Sequence, residues 1–237
     1  MKKENGSPGK ITQAMRLLQM TDSTFPVGTF SFSNGLETAT FEKLVNDTPT
    51  LKAFTSAQAH QAAFTDGIAA IASYRAFLAG DIEAIVAADK ELIRCKMNDE
   101  ARLMLQRMGK KLAELCLKLY GENELVAAWY ERIKSEDTPG TYPVAQGLAF
   151  AAAGVSEEDL FCSHQYGVIN MVLGAALRCV RVSHYDTQEI LFELSEETPE
   201  LYEEVKEMGI GDMHAFFPEL DIIASLHEKG NMRMFMN

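Results

Sequence analysis

Cationic residues are in short supply along this chain: 22 lysines and arginines stand against 34 aspartates and glutamates, for a formal charge of −12 over 237 residues. Such a sequence offers no basic stripe to neutralise phosphates, which argues against nucleic acid as a partner; its acidic balance is compatible with a basic protein partner. Cysteine is scarce too. Cys95, Cys116, Cys162 and Cys179 form no Cys-x-x-Cys pair and sit among apolar residues of predicted helices, the pattern of buried thiols in a reducing compartment. The opening "MKKENGSPGK" has a basic start without an apolar core behind it. It reads as a disordered leader over residues 1–10 and not as a signal peptide. No apolar run approaches the length of a membrane span, so the expectation is a cytoplasmic protein with no membrane contact.

The signatures of common catalysts are missing as well. Gly9-Lys10-Ile11 and Gly109-Lys110-Lys111 lack the upstream glycine and the hydroxyl of a phosphate-cradling loop. The five histidines (His60, His164, His184, His214 and His227) are far apart, and His227-Glu228 has no second histidine four positions on. Ser31 and Ser33 lack the Gly-x-Ser-x-Gly spacing of a nucleophile elbow and read as helix-start hydrogen bonders. Glu100 and Arg102 read as a solvated charged face near a helix start.

What is present is helical periodicity. Ile11, Met15, Leu17 and Leu18 mark a first amphipathic stretch, and Asn34 with Glu37 three positions on reads as a capping box. Thr48-Pro49, Gly80-Asp81, Asn98, Pro143, Ser156 with Asp159, and Thr198-Pro199 each open a further helix; Gly121 stops one. The stretch from Thr48 to Leu78 suggests two consecutive helices broken near Asp66-Gly67. Glu157 to about Val182 is the most apolar helix, and its Gly167 and Gly174 suggest close backbone approach at the centre of a bundle. With no sustained alternation anywhere, the fold class expected is all-α, a single-domain bundle of roughly ten helices over residues 11–225, followed by a tail over 226–237.

Two segments exceed what folding alone asks of them. "TFPVGTFSFSNGLE" carries Phe30 and Phe32 beside its serines, and the ending "HEKGNMRMFMN" leaves Met232, Met234, Met236 and Phe235 on a polar tail. Side chains of this kind suit docking, onto a partner or onto the domain itself. By elimination, the residues point to a helical binding protein.

"LLQMTDSTFPVGTFSFSNGLE" closely resembles the N-terminal signature of the UreF family of urease accessory proteins, through Pro26, Val27, Gly28, Phe30, Ser31, Ser33, Gly35, Leu36 and Glu37. The similarity continues at Glu100, Arg102, Met108 and Gly109, at Pro143, Val144 and Gly147, and at Pro218, Asp221, Ile222, His227, Glu228, Arg233 and Phe235. It departs from the family at Val180–His184, where a Pro-Leu-Gly-Gln turn is usual, and at Met234, where leucine is usual.

This resemblance implies a non-enzymatic, all-α assembly factor for nickel-dependent urease. Its partners would be UreD (also called UreH), the GTPase UreG and the urease apoprotein; the resemblance also implies a homodimer and modulation of GTP hydrolysis by UreG. It implies no catalytic residue and no tightly bound cofactor or metal, nickel being handled by the complex. The candidate partner-binding residues are Phe30, Ser31, Phe32, Ser33, Arg102, Arg178, His227, Glu228, Arg233 and Phe235: the loop aromatics as apolar anchors, Arg178 toward UreG, and the tail from His227 to Phe235 ordering on UreD. The rival readings are a hydrolase using His227, Glu228 and Arg233, a nickel-binding chaperone using the histidines, and a generic helical adaptor.

Overall fold

The computed structural model describes residues 8–28, 32–121, 123–227 and 233–235. Twelve α-helical segments follow in chain order: α1 (Lys10–Thr21), α2 (Leu36–Phe41), α3 (Thr48–Ala62), α4 (Ile68–Ala79), α5 (Ile82–Arg94), α6 (Asp99–Tyr120), α7 (Glu124–Lys134), α8 (Tyr142–Ala153), α9 (Glu157–Cys179), α10 (His184–Ser195), α11 (Thr198–Val205) and α12 (Pro218–His227). Because α3 and α4 run on through a π-helical turn at Ala63–Gly67, they count as one helix. That makes eleven helices among the described residues, ten of them seven residues or longer, with no strand, in a single all-α domain. Lys10 already belongs to α1, so the helix begins inside the segment expected as leader, most of which lies outside the described residues.

Local capping explains most boundaries. Asp81, Asn98, Asn123 and Ser156 each accept a backbone N–H of the first turn of the helix they open. Three expected starts shift. Asp47, not Thr48, caps α3 through a capping box with Thr50, and Glu197 precedes α11. The Asn34–Glu37 box does not form: Asn34 and Gly35 both take positive φ (52° and 80°), so the chain turns too sharply there for Asn34 to reach the helix start. Asp66-Gly67 produces the π turn in place of a break, and the bulged turn carries Asp66 inward to an ion pair with Lys96.

One core lies between α4, α5, α6 and α8 and encloses Trp129; a second joins α2, α3, α9, α10 and α12. Helix α9 touches α1, α2, α3, α4, α8, α10 and α11, which makes it the central helix as its apolarity suggests. By length and composition α9 would also pass for a membrane span, a test that the buried core helix of a soluble bundle meets equally. Its Gly167 and Gly174 are not the close-approach points: a Cβ there would meet nothing within 4 Å. Close approach falls on Gly109, where a Cβ would lie 2.1 Å from the Gly140 carbonyl oxygen, and on Gly147, 2.1 Å from Ser73 Oγ.

A buried carboxylate organises the loop before α8. Asp89, fully inaccessible, accepts hydrogen bonds from Trp129 Nε1 (3.3 Å), Thr138 Oγ1 (2.7 Å), Gly140 N (2.8 Å), Thr141 N (2.8 Å) and Thr141 Oγ1 (2.6 Å). Burial pushes its pKa up, and the Thr141 and Thr138 donors oppose that shift.

Candidate functional site

The second core brings the signature segment and the end of the chain together. Gly35 sits against α12, where a Cβ would come within 3.3 Å of Ala224 N, so a residue with a side chain would crowd the helix besides straining a left-handed backbone. The positive-φ pair Asn34-Gly35 then aims the first turn of α2 toward the chain terminus.

Glu37 stands in that turn. Its Oε1 accepts from Met234 N at 2.7 Å and its Oε2 from Phe235 N at 3.1 Å. The same Oε2 is 3.1 Å from His227 Nε2, and on the other side of the ring His227 Nδ1 is 2.7 Å from Glu100 Oε2 on α6. Glu100 Oε1 takes an ion pair from Arg233. The imidazole is 2% exposed, against 14% for the Glu100 side chain and 20% for Glu37. Burial works to raise the Glu37 carboxyl, but the Met234 N–H, the His227 ring and the Phe235 N–H together hold it below its ordinary value.

Phe235 fills the far end of this arrangement. It is buried in the second core, and the Arg178 guanidinium at the end of α9 lies 5.4 Å from its ring centroid. Four of the sequence candidates, Arg178, His227, Arg233 and Phe235, thus form one continuous cluster on α2, α6 and the end of α9. Its tail members dock on their own chain.

The other candidates are placed differently. Phe32 is no exposed anchor: it is buried against Met104, Leu105 and Met108, because the start of α2 draws the loop down onto α6. Ser33 is buried as well, and its Oγ accepts from Glu37 N at 3.5 Å. Arg102 donates from Nε to the Lys96 carbonyl oxygen (2.7 Å) and sits 3.8 Å from Asp99, its side chain 43% exposed. Phe30, Ser31 and Glu228 lie outside the described residues. Among the described residues, no group of three or more His, Cys, Asp or Glu side chains is placed to hold a metal ion.

Sequence reasoning missed Glu37 and Glu100 as anchors, taking one for a cap and the other for a solvated acid. Both lie inside the family-like motifs, which was the available signal. Their shared partner His227 is 190 and 127 residues away, beyond any local spacing rule.

A separate polar group lies deeper. Asp66 pairs with Lys96 and accepts from Thr65 Oγ1 at 2.7 Å, beside a cavity of about 120 Å³ into which His164 also faces. His164 Nδ1 is 2.9 Å from Gln146 Oε1, and its Nε2 has no hydrogen-bond partner among the described residues. Burial lowers the His164 pKa, with Asp66 opposing.

The UreF family model matches residues 45–195. The chain is 49% identical over 223 residues to the urease accessory protein UreF 2 of Brucella canis, covering 94% of this chain and 91% of that protein. It is 48% identical to UreF 1 of Brucella melitensis, over 94% and 92%. To the urease accessory protein UreF of Yersinia enterocolitica it is 43% identical over 224 residues, covering 94% and 97%. A family match over more than half the chain, and relatives this similar along almost their whole length, show that the chain belongs to the UreF family.

Proposed function

We propose that this chain is a non-enzymatic accessory protein of urease maturation. As a cytoplasmic homodimer it binds UreD (UreH), recruits the GTPase UreG, whose GTP hydrolysis it modulates, and supports nickel insertion into the urease apoprotein. The observation that carries the reading is the 43–49% identity to proteins named urease accessory protein over 94% of the chain. Released nickel would bind indiscriminately to nitrogen and sulfur ligands, so a scaffold that raises effective concentration and holds partners in register serves the transfer without chemistry of its own.

The exposed part of the cluster around Glu37 supports this reading as the surface for a partner. Arg233, the docked tail backbone and the Arg178 guanidinium share one face, and a partner seated there would read all three. Deleting this gene from cells that carry the urease operon, with nickel supplied, abolishes urease activity; wild-type activity would overturn the reading. Removal of residues from Leu226 onward weakens co-purification with UreD, and full retention would take the tail out of that interface.

A further inference from the structure

The cavity of about 120 Å³ between α3, α6 and α9 has hydrogen-bond acceptors in its wall. His164 is 4% exposed, and its Nδ1 lies 2.9 Å from Gln146 Oε1. An amide oxygen only accepts, so Nδ1 carries the ring proton and Nε2 presents a lone pair. Burial favours this neutral ring. Nε2 has no hydrogen-bond partner among the described residues, a costly state for a buried acceptor. The π turn brings Asp66 to the same cavity. Asp66 Oδ2 takes the Lys96 ammonium and Thr65 Oγ1, while Oδ1 accepts no hydrogen bond among the described residues.

A glycine keeps this space open. His164, Gly167, Val168 and Met171 follow one face of α9 along the cavity. Glycine inside a helix costs stability relative to alanine. Packing does not require it at 167, where a Cβ would meet nothing within 4 Å.

The lining selects a ligand by charge and size. An anion would face a carboxylate and a lone pair. A cation would face a carboxylate that Lys96 already neutralises. A neutral primary amide fits: its NH2 group donates to the two acceptors, and its carbonyl oxygen accepts the third N–H of Lys96, two being given to Asp66 and Thr65. Ala62, Met104, Leu105, Met108 and Met171 supply an apolar wall for a short alkyl group. A cavity of about 150 Å³ admits benzene, so this one takes about five non-hydrogen atoms. We propose that the cavity beside His164 is a binding site for a small uncharged amide, a function separate from the assembly of partners.

The test titrates propionamide into the full chain, isotopically labelled, and follows the His164 ring nitrogens and the Gly167 amide by NMR. Both shift saturably below about 100 mM, the weakest affinity expected of a ligand this size. The charged isosteres propionate and propylammonium give no saturable shift. Gly167→Leu fills the space and abolishes binding while thermal melting stays at or above that of the wild type. His164→Leu weakens binding at least about tenfold. The proposal is overturned by an absent wild-type response, by equal responses to the charged isosteres, or by unchanged affinity in either variant. Should the variants fail to fold, a crystal of the wild-type chain soaked in propionamide decides. The amide nitrogen within hydrogen-bond distance of His164 Nε2 is the result expected, and water alone at that place overturns the proposal.

Discussion

Phe235 and Arg178 meet at the end of the central helix, the ring centroid 5.4 Å from the guanidinium carbon, so that the last described residue of the chain is tied to a position 57 residues earlier. The ring is buried while Arg178 stays exposed, so the aromatic contributes area and the cation a directional contact on its outer face. Phe235→Ala therefore undocks the segment locally: protection at the Met234 amide drops and global unfolding changes much less. Arg178→Met gives a smaller loss. A double-mutant cycle between them returns a coupling of about 0.5–1 kcal/mol, the range for an exposed cation over an aromatic face; zero coupling would mean the guanidinium merely covers the ring.

Glu37→Gln should weaken the same seat with a defined pH signature. The Glu37 pKa is lowered in the folded chain from its ordinary 4.5, burial notwithstanding, by the donors of Met234, His227 and Phe235. A depressed carboxylate contributes stability that is fully present above its ordinary value and lost as pH falls through its folded one. At neutral pH the substitution costs about 1–2 kcal/mol of docking, as charge-assisted bonds become neutral ones. Below the ordinary value the wild type loses its advantage and the two chains converge. Docking followed by amide protection from neutral to acid pH shows the convergence; parallel curves would remove Glu37 from the seat.

Asp89→Asn tests the loop before α8. The five donors around Asp89 come from Trp129, Thr138, Gly140 and Thr141, and an asparagine can accept at only one of its two terminal atoms. Its amide nitrogen would face backbone and hydroxyl donors in a fully buried site. Each buried donor left without an acceptor costs about 1–3 kcal/mol. Chemical denaturation should show a loss of at least about 2 kcal/mol at this single position, with the Trp129 fluorescence altered in the native state.

The contrast between Asn98 and Phe32 shows what the sequence makes legible. Asn98 caps α6 through Ala101, three residues away, and Asp81 and Ser156 do the same for α5 and α9; such bonds close within one turn, so residue type and spacing announce them. The all-α architecture and the central place of α9 follow from the same short-range rules. Phe32 rests on Met104 and Met108, and whether an aromatic faces solvent or core depends on where a remote helix arrives. The Glu37–His227–Glu100 chain is remote in the same sense. Gly167 and Gly174 misled because a small residue permits close approach without requiring it, whereas Gly109 and Gly147 look no different in sequence and have no room for a Cβ. Asp89 carries no sequence signal: it reads as one more acid on an amphipathic helix until Trp129 and Thr141 are seen around it.

Lys96→Met addresses the charged pair behind the π turn. Asp66 and Lys96 are 7% and 16% exposed, and the Asp66 carboxyl is held below its ordinary 3.8 although burial acts to raise it, chiefly because the Lys96 ammonium lies beside it. Removing the cation leaves the carboxylate with Thr65 Oγ1 and the distant influence of His164, which burial keeps toward its neutral form. An uncompensated buried charge of this kind costs about 3–5 kcal/mol. The sign of the pH dependence then separates charge from packing. In the wild type, the depressed Asp66 stabilises above 3.8 and loses that contribution as pH falls. In the variant, burial without a cation raises the carboxyl, so the folded chain takes up a proton more readily than the unfolded one and is relatively stabilised by acid. The stability gap between the two chains therefore narrows as pH drops from 7 toward 4. A gap that stays constant over that range would show that Lys96 acts through its aliphatic stem and not through its charge.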